Sequence, residues 1–373
     1  MGTASSFAAY SFYRSITIDH TKAGATTDLS NFPIVVSGTY AYLATTGHGG
    51  KVQNASGFDV GFFLDSGCST GKLNWETELY TAATGVVDYW VQIPTVSHTN
   101  DTVFYMCYGD ATISTDQSNQ HGVWNSFYKM VWHFPNGSTL SATDSTSNGN
   151  NGAIGTPTAT TGQVDGGALF DNSTGVITMN NATLTAGKSF SVAWWENVTS
   201  NAGGGRFSFV ATGSCGASAI VRGVAAINLW YAPNCGGTVS ASAAPTIAAS
   251  VGVWHHYVIT ATDPNSSTPA NFTMYVDGVS SAVAASSSYN AGGGNRGAGY
   301  NAVLASPANA TLDEVQVLVG VQLSADWVKA AYNNQNIPDK SAGAGGFYTV
   351  GSETAPITGY SLKGFSFNNT SLK

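Results

Sequence analysis

Two glutamates two positions apart are the residues of this sequence that best suit acid–base chemistry. Glu76 and Glu78 stand at the end of the phrase Asn-Trp-Glu-Thr-Glu. On a strand they would share one face with their carboxylates about 6 to 7 Å apart, a separation that two-carboxylate glycoside hydrolysis can use. The alternative is that both side chains lie on a solvated strand face. The pair therefore defines an enzyme hypothesis, glycan degradation by Glu76 and Glu78, beside a structural one.

Other motifs offer weaker signals for catalysis. Adjacent residues of a strand face opposite sides, so His255 and His256 are poorly placed to hold one metal ion, and we expect structural roles for them. The segment 212–216, Thr-Gly-Ser-Cys-Gly, lacks the strand-to-helix context of a nucleophile elbow. The glycine-rich segment 292–299 lacks the Lys-Ser/Thr ending of a phosphate-binding loop. We expect a turn and a rim loop at these two places.

Exposed aromatic side chains suit carbohydrate binding, because the apolar C–H faces of sugar rings stack on indole and phenol rings. Trp194 and Trp195 would point to opposite faces of one strand, which places one in the core and the other at solvent or a loop. The candidates for sugar contact are five aromatic residues: Trp195, Trp230, Tyr231, Tyr289 and Tyr300. The alternative for each is an ordinary aromatic residue of the core or of an interface.

The composition restricts the partners. Only 9% of the residues are charged, and the formal net charge is -8. The chain therefore offers no basic face to nucleic acid or to an anionic membrane. No stretch approaches the roughly 20 apolar residues of a membrane span, and no signal peptide is present in this chain. We expect an extracellular or cell-surface protein, or alternatively a virion-associated one, without membrane insertion.

The cysteines form two pairs, one in each half of the chain. Four cysteines permit three connectivities, and the simplest joins Cys68 to Cys107 and Cys215 to Cys235. No Cys-x-x-Cys spacing indicates zinc binding or redox chemistry. The second bridge would close a loop of about 20 residues and contribute roughly 3 kcal/mol. The alternative is four buried free thiols.

Short runs of β-branched and aromatic residues, separated by Gly, Asn, Asp and Ser, predict an all-β chain. In the first half we expect strands at 15–19, 32–37, 59–64, 73–80, 86–93 and 103–108. In the second half we expect them at 129–134, 167–170, 176–179, 190–195, 207–212, 226–231, 254–260, 272–276 and 313–318. One helix is expected at 324–333, with Ser324 as its N-cap. The polar segment 110–120 indicates a boundary, so we expect two tandem β-sandwich (jelly-roll) domains, 8–124 and 125–352, and a tail or linker, 353–373.

Five phrases of the second half, in this order, resemble those of the laminin-G-like domain, a concanavalin A-like lectin/glucanase fold. They occupy 144–152, 166–171, 251–257, 274–278 and 312–317, and the resemblance covers roughly Tyr128 to Gly351. It implies that the second domain is a concanavalin A-like jelly roll. Glycanases of this fold carry Glu-x-Asp-x-x-Glu on a concave strand. That motif is absent, and the Glu76 and Glu78 pair lies in the other half, so we prefer a non-catalytic role.

The first half is similar to an uncharacterised β-domain that is common in prokaryotic surface and secreted proteins. The similarity rests on the segments Tyr13 to Asp19, Asn31 to Val36 and Val103 to Gly109. The similarity implies a surface or secreted location and a neighbouring lectin-like domain. It assigns no chemistry to the first half.

The resemblance to jelly rolls also implies a structural Ca²⁺ ion in the second domain. Ca²⁺ takes about six to eight oxygen ligands, which are dense in the loop 144–151 and recur beside a strand start at 313. The expected ligands are five oxygen-bearing side chains: Asp144, Asn148, Asn150, Asn151 and Asp313. The alternative is an ordinary Asx-rich turn that Asp313 caps by hydrogen bonds.

These observations predict a non-catalytic extracellular binding module that recognises carbohydrate or a cell-surface glycoconjugate. Such a module would belong to an adhesin or another surface protein and would pack against neighbouring domains. The first alternative is a structural module of a fibre or phage appendage that binds no sugar. The second is a glycan-degrading enzyme.

Overall fold

The computed structural model describes residues 10–171, 175–179, 189–199, 204–211, 217–222, 227–234, 237–243, 250–262, 271–285, 300–305, 309–340 and 345–355. In this part of the chain, no helix is both long and apolar enough to cross a membrane. The strands form two β-sandwiches in tandem, so the predicted all-β class is confirmed.

The first sandwich packs a four-stranded sheet against a three-stranded sheet. The strands of the four-stranded sheet, in spatial order, are β22 (Tyr348–Val350), β1 (Phe12–Ile18), β6 (Thr102–Tyr108) and β3 (Val60–Phe63). Those of the other are β2 (Leu29–Thr39), β5 (Val86–Val96) and β4 (Trp75–Thr81). Side chains that alternate along both sheets fill the space between them, as Ile16, Phe104, Ile34 and Tyr89 show.

The second sandwich has an eight-stranded and a seven-stranded sheet. The first comprises β19 (Val279–Ala285), β18 (Asn271–Val276), β17 (Trp254–Ala261), β12 (Phe190–Val198), β21 (Asn309–Val319), β10 (Gly166–Asp171) and β9 (Thr158–Thr161), with β7 (Tyr128–Trp132) also paired to β21. The second comprises β16 (Gly237–Ala243), β15 (Ile227–Asn234), β14 (Ala217–Arg222), β13 (Gly204–Ala211), β20 (Tyr300–Ala305), β11 (Val176–Met179) and β8 (Gly152–Ile154). The described core includes Trp132, Trp194, Tyr257 and Ile177.

All strands expected in the first half are present, as are those of the second half, with shifted ends. The sequence missed β8, β9, β14, β16, β19, β20 and β22. Strands such as β16, Gly-Thr-Val-Ser-Ala-Ser-Ala, are rich in Ser, Ala and Gly, which lowers the β-branched and aromatic content on which the prediction depends. Pairing with neighbours makes them strands.

The C-terminal segment returns to the first sandwich. Strand β22 pairs antiparallel with β1, with Ile16 opposite Val350 and Ile18 opposite Tyr348. Beyond it, the backbone of Thr354 exchanges two hydrogen bonds with Tyr13. Residues 348–350 were expected in the second domain, but their apolar side chains complete the first core. The first sandwich is therefore built from both ends of the described chain.

The predicted helix is confirmed as α2 (Ala325–Asn336), and a short helix α1 (Gln120–Val123) lies near the predicted boundary. The Ser324 hydroxyl accepts a hydrogen bond from the Trp327 N–H at 3.2 Å, as expected of an N-cap. Near the other end of α2, the Asn334 amide accepts from the Val35 N–H at 2.7 Å and donates to the Val35 carbonyl at 3.0 Å. Because β2 is an edge strand, this side chain takes the place of a neighbouring strand.

A third apolar cluster joins the two sandwiches. The outer face of the eight-stranded sheet contributes Val131, Ala193 and Val258, and the first sandwich contributes Val35 and Trp90. Helix α2 adds Val328 to the same cluster. Both faces of this sheet are therefore buried over the area of contact.

The predicted Cys68–Cys107 bridge is confirmed. It lies in a small cluster with Tyr10 and Phe63 at the edge of the first sandwich. Cys215 and Cys235 lie outside the described residues, so their pairing stays a prediction.

We expect Asn334→Ala to lower the free energy of unfolding by about 2 to 4 kcal/mol, because it leaves the buried Val35 N–H and carbonyl without partners. Urea unfolding measures the change. The matched control is Asn336→Ala, an exposed asparagine of the same helix, for which a change within about 0.5 kcal/mol is expected. Equal effects of the two substitutions would show that the contact with Val35 contributes nothing.

The double variant Cys68→Ala, Cys107→Ala should also be less stable than the parent. The bridge spans a sequence separation of 39, and a loop of that length corresponds to about 4 kcal/mol on the chain-entropy model. Denaturant unfolding of the double variant is the right measurement, because a reductant would act on any other disulfide as well. An unchanged unfolding midpoint would contradict a stabilising role.

Candidate functional site

An open pocket lies where the C-terminal strand joins the first sandwich. Its volume is about 440 Å³, within the range of small-ligand sites. Aromatic, charged and small side chains line it: Arg14, Tyr40, Tyr42, Asp339, Lys340, Thr349 and Val350. We refer to it as the Arg14 pocket. It exists only because residues 339–350 return to β1 and to the loop after β2.

Arg14 is held in this pocket by several contacts. Its guanidinium carbon lies 3.8 Å from the ring centre of Tyr42. Its Nη1 donates to the Gly351 carbonyl at 2.8 Å, and its Nε donates to the Tyr108 hydroxyl at 3.1 Å. A cation over an aromatic ring with directional hydrogen bonds has a defined orientation. The guanidinium is therefore positioned before any ligand arrives.

Tyrosine rings form a packed row beside Arg14. The ring centre of Tyr42 lies 5.5 Å from that of Tyr40 and 5.4 Å from that of Tyr108. The Tyr40 hydroxyl donates to Asp339 Oδ2 at 2.9 Å. Tyr42 also lines the Arg14 pocket, so one edge of this row borders the cavity.

The hydroxyl of Tyr42 is buried and has no hydrogen-bond partner among the described residues. Burial raises the pKa of Tyr42, against the lowering effect of Arg14. The group therefore stays protonated at neutral pH and can donate. A buried hydroxyl without a partner costs roughly 1 to 3 kcal/mol, so a ligand oxygen that reaches it after a small movement of the covering side chains recovers free energy.

The charges of the Arg14 pocket are balanced. Arg14 and Lys340 are basic, while Asp339 lines the same pocket and a Glu353 carboxylate oxygen lies 4.0 Å from Arg14 Nη2. A site that selects phosphate or sulfate needs an excess of positive charge. A neutral ligand rich in hydroxyl groups fits these donors and acceptors better.

The expectation that Trp195 meets solvent is wrong. Its side chain is buried beneath helix α2, where the indole N–H donates to Gln335 Oε1 at 2.6 Å and the ring stacks on Tyr332. Trp194 lies in the core as expected. Alternation assigned the two residues to opposite faces correctly, but it does not show which faces are covered.

The other predicted sugar-binding aromatics stay predictions. Trp230 and Tyr231 lie on β15 and Tyr300 lies on β20, in the seven-stranded sheet. Tyr289 lies outside the described residues.

The adjacent histidines have structural contacts, as predicted. His255 Nδ1 lies 2.7 Å from Asp277 Oδ2, and Nε2 lies 3.0 Å from the Ser250 hydroxyl. His256 packs its ring against Trp195, and burial lowers its pKa to about 4 despite the neighbouring Asp277. It is therefore neutral at physiological pH.

The residues expected to hold calcium have other partners. Asp144 accepts four hydrogen bonds, two on each carboxylate oxygen, from Val131, Thr146 and Asn150. The side-chain amides of Asn148 and Asn150 donate to the carbonyls of Tyr128 and Lys129, and the Asn151 carbonyl oxygen accepts from the Asp144 N–H. The loop 144–151 is thus an Asx-rich turn.

Asp313 caps a different turn. Its Oδ2 accepts from the N–H groups of Gln163 and Val164, and its Oδ1 accepts from the Glu314 N–H. Both carboxylate oxygens of Asp313, which would have to coordinate calcium, therefore accept hydrogen bonds from N–H groups instead. These hydrogen bonds do not fit one ion shared between Asp313 and the loop 144–151.

Glu76 and Glu78 share one face of β4, as the sequence predicts, but this face is buried between the two sandwiches. The Glu76 carboxylate accepts from Trp124 Nε1 at 2.8 Å and from the Ser145 hydroxyl at 2.6 Å. Glu78 accepts from Trp90 Nε1 at 2.7 Å, and its side chain is 1% exposed. The alternative of a solvated strand face is therefore wrong.

A histidine that the sequence did not single out lies between these glutamates. The Nδ1 atom of His133 is 2.9 Å from both carboxylate oxygens of Glu314 and 3.7 Å from Glu78 Oε2, while Nε2 is 3.4 Å from Glu76 Oε2. We call Glu76, Glu78, His133 and Glu314 the His133 cluster. Its members come from both sandwiches, so no local spacing indicates it.

Burial dominates the electrostatics of the His133 cluster. It raises the pKa of Glu78 well above its usual range and also raises that of Glu314, although His133 opposes both shifts. Burial alone would lower the pKa of His133, but the carboxylates of Glu314, Glu76 and Glu78 outweigh it and raise this pKa well above its usual range. The cluster therefore retains protons unless a cation replaces them.

Several solved structures are similar to about half of this chain. Domain 4 of AbnA, an extracellular GH43 arabinanase from Geobacillus stearothermophilus in complex with arabinotriose, is 15% identical, with 55% of this chain and 98% of that one covered and a TM-score of 0.41. The binding domain of Paraclostridial Mosquitocidal Protein 1 is 13% identical, with 55% and 52% covered and a TM-score of 0.42. The receptor-binding domain of botulinum neurotoxin type G is 14% identical, with 56% and 52% covered and a TM-score of 0.40. This chain spans about half the length of the two toxin domains.

No curated protein matches the chain in sequence. A family model does match, that of the concanavalin A-like lectin/glucanases superfamily, over residues 170–329. The match begins in β10 and ends in α2, so it falls on the second sandwich. Residues 170–329 are therefore similar to the laminin-G-like domains of the concanavalin A-like lectin/glucanase superfamily.

Proposed function

We propose that this chain is a non-catalytic module that recognises carbohydrate, within an extracellular or cell-surface protein such as an adhesin. The Arg14 pocket is the observation on which the proposal mainly rests. It is open, has the volume of a small-ligand site, holds balanced charges and has the unpaired hydroxyl of Tyr42 in its wall. The match of residues 170–329 to the family model of a superfamily of lectins and glucanases supports the same function.

A non-catalytic role is favoured by the position of Glu76 and Glu78. Both carboxylates accept hydrogen bonds from indole N–H groups in the contact between the sandwiches. A glycosidic bond must reach both carboxyl groups of a hydrolase, and a polysaccharide has no access to side chains buried in this way. We infer that these residues stabilise the contact between the sandwiches.

The ligand that fits the Arg14 pocket best is a short neutral saccharide. Its ring hydroxyls can accept hydrogen bonds from Tyr42 and Arg14, which line the pocket. The proposal therefore places at least one binding site on the first sandwich, in addition to the predicted aromatics of the second. The alternative function, a structural module of a fibre or phage appendage, requires no ligand in this pocket.

A glycan array followed by calorimetry with the strongest ligand tests this function. We expect Tyr42→Phe to weaken binding by about threefold to tenfold, the value of one neutral hydrogen bond of roughly 0.5 to 1.5 kcal/mol. The melting temperature should not fall, because the Tyr42 hydroxyl has no partner in the free protein.

Tyr13→Phe is the matched control. Tyr13 is the neighbour of Arg14 on β1 and points to the opposite face of the sheet, where it packs against Tyr105. This change should leave the affinity unaltered. Silence across neutral plant, microbial and host glycans would favour the structural alternative. Glycan binding that is indifferent to Tyr42→Phe would place the site elsewhere on the molecule.

Calcium stays a prediction of the sequence, and the hydrogen bonds of Asp144 and Asp313 argue against it. We expect the melting temperature of protein dialysed against EGTA to remain unchanged when millimolar Ca²⁺ is added. Asp313→Ala should lower the melting temperature equally with and without Ca²⁺, because it removes the cap of the turn at 163–164. If Ca²⁺ raised the melting temperature of the parent protein but not that of Asp313→Ala, the predicted calcium site would be supported.

A further inference from the structure

The His133 cluster joins the two sandwiches through side chains rather than through the backbone. Glu78 comes from β4 of the first sandwich, His133 follows β7, and Glu314 lies on β21 of the second. We propose that Glu78, His133 and Glu314 bind a divalent transition-metal ion, which fastens the two β-sandwiches to each other.

The distances suit coordination of one ion. One ligand atom from each of the three residues lies within 4.8 Å of the other two. The Nδ1 atom of His133 is 2.9 Å from either oxygen of Glu314 and 3.7 Å from Glu78 Oε2. Ligand atoms about 2.1 Å from a shared metal lie roughly 3 to 4 Å apart. The three side chains therefore reach one ion with small adjustments.

One polar atom of the proposed ligands lacks a hydrogen-bond partner. It is Glu78 Oε1, and it is buried. The side chain that carries it is 1% exposed. A buried carboxylate oxygen without a donor is costly, and coordination to a cation is one of the few interactions that can satisfy it in a site closed to water.

The charge of the cluster also calls for a cation. Among the ion pairs of the described residues, His133 is the only basic partner of the Glu76, Glu78 and Glu314 carboxylates. Three buried carboxylates cannot all be ionised beside one imidazole without a large electrostatic cost. A divalent ion supplies the missing positive charge and allows His133 to be neutral, as a ligand must be.

Surrounding groups orient the proposed ligands. The indole N–H of Trp90 donates to Glu78, and the imidazole of His133 stacks on Trp90 with ring centres 5.1 Å apart. On the far side of His133, Nε2 faces the Glu76 carboxylate, which is fixed by Trp124 and Ser145. A carboxylate behind a ligating histidine is a common arrangement in metal sites. Glu76 is thus a positioning residue and not a ligand.

Backbone irregularities coincide with the ligands. Glu314 adopts φ 50°, and Phe134, next to His133, adopts φ 54°. The register of β4 shifts between Thr77 and Leu79, around Glu78. Bulges and left-handed residues re-aim side chains and occur at functional sites. Three irregularities that converge on one cluster are consistent with selection for the positions of these side chains.

The ligand set indicates the class of metal. One imidazole nitrogen with carboxylate oxygens suits Zn²⁺, Mn²⁺ or Fe²⁺, whereas Ca²⁺ and Mg²⁺ prefer oxygen ligands alone. Because the ligands come from both sandwiches, the ion acts as a cross-link between them.

The test uses the full chain, unfolded in denaturant with chelator and refolded with either Zn²⁺ or Mn²⁺, because a buried site exchanges slowly in the native state. After gel filtration, elemental analysis should find about one ion per chain for at least one of these metals. The refolded holo protein should melt at a higher temperature than protein refolded with chelator. Refolding with Co²⁺ should give visible absorption bands, which report coordination without any substitution.

The variants Glu78→Gln and Glu314→Gln should each lose at least about tenfold in metal affinity. A surface group, Asp19, His20 and Asp101, also offers ligand atoms close together, so His20→Gln is the matched control and should retain the ion. If a Gln variant does not fold, the wild-type stoichiometry and the Co²⁺ spectrum decide. Absence of bound metal after refolding with either ion, or metal lost in His20→Gln and kept in Glu78→Gln, would overturn the proposal.

Discussion

The structure depends on covering the outer face of the eight-stranded sheet. Its inner face packs in the core of the second sandwich, and its outer face carries Val131, Ala193 and Val258. A sheet that is apolar on both faces needs a layer on each side. Helix α2 and the three-stranded sheet of the first sandwich supply the missing layer. The two sandwiches therefore share a buried interface.

This boundary concentrates polar chemistry in a dry environment. Indole N–H groups of Trp90 and Trp124 donate to Glu78 and Glu76, and the His133 ring packs against both indoles, with ring centres 5.1 Å and 5.5 Å away. Each carboxylate is expensive to bury, but together with one imidazole they form a site that either holds protons or binds a cation. The same burial that argues against glycan hydrolysis by Glu76 and Glu78 would admit only a small ion to the cluster.

The return of the C-terminal segment to β1 creates the Arg14 pocket. By pairing with β1, strand β22 brings the C-terminal segment beside Arg14, and Asp339 beside Tyr40. The residues that form the Arg14 pocket are therefore contributed by both ends of the described chain. The shape of this pocket therefore depends on the docking of α2 and β22, to which the Asn334 contact with Val35 contributes.

The sequence by itself determined the all-β class, strands β1 to β6 of the first sandwich and helix α2 with its Ser324 cap, because alternation, capping and turn residues are local signals. It suggested the Cys68–Cys107 bridge as the simplest of three pairings, and the structure decided for it. It also placed Glu76 and Glu78 on one face. Only the tertiary structure decided that this face and that of Trp195 are buried. It also decided that Asp313 caps the turn at 163–164. The contacts of His133 and Arg14 with residues far along the chain likewise come from the tertiary structure. The physical reason is that periodicity defines the two faces of a strand, whereas burial depends on which other element packs against each face, and that is a property of the assembled fold.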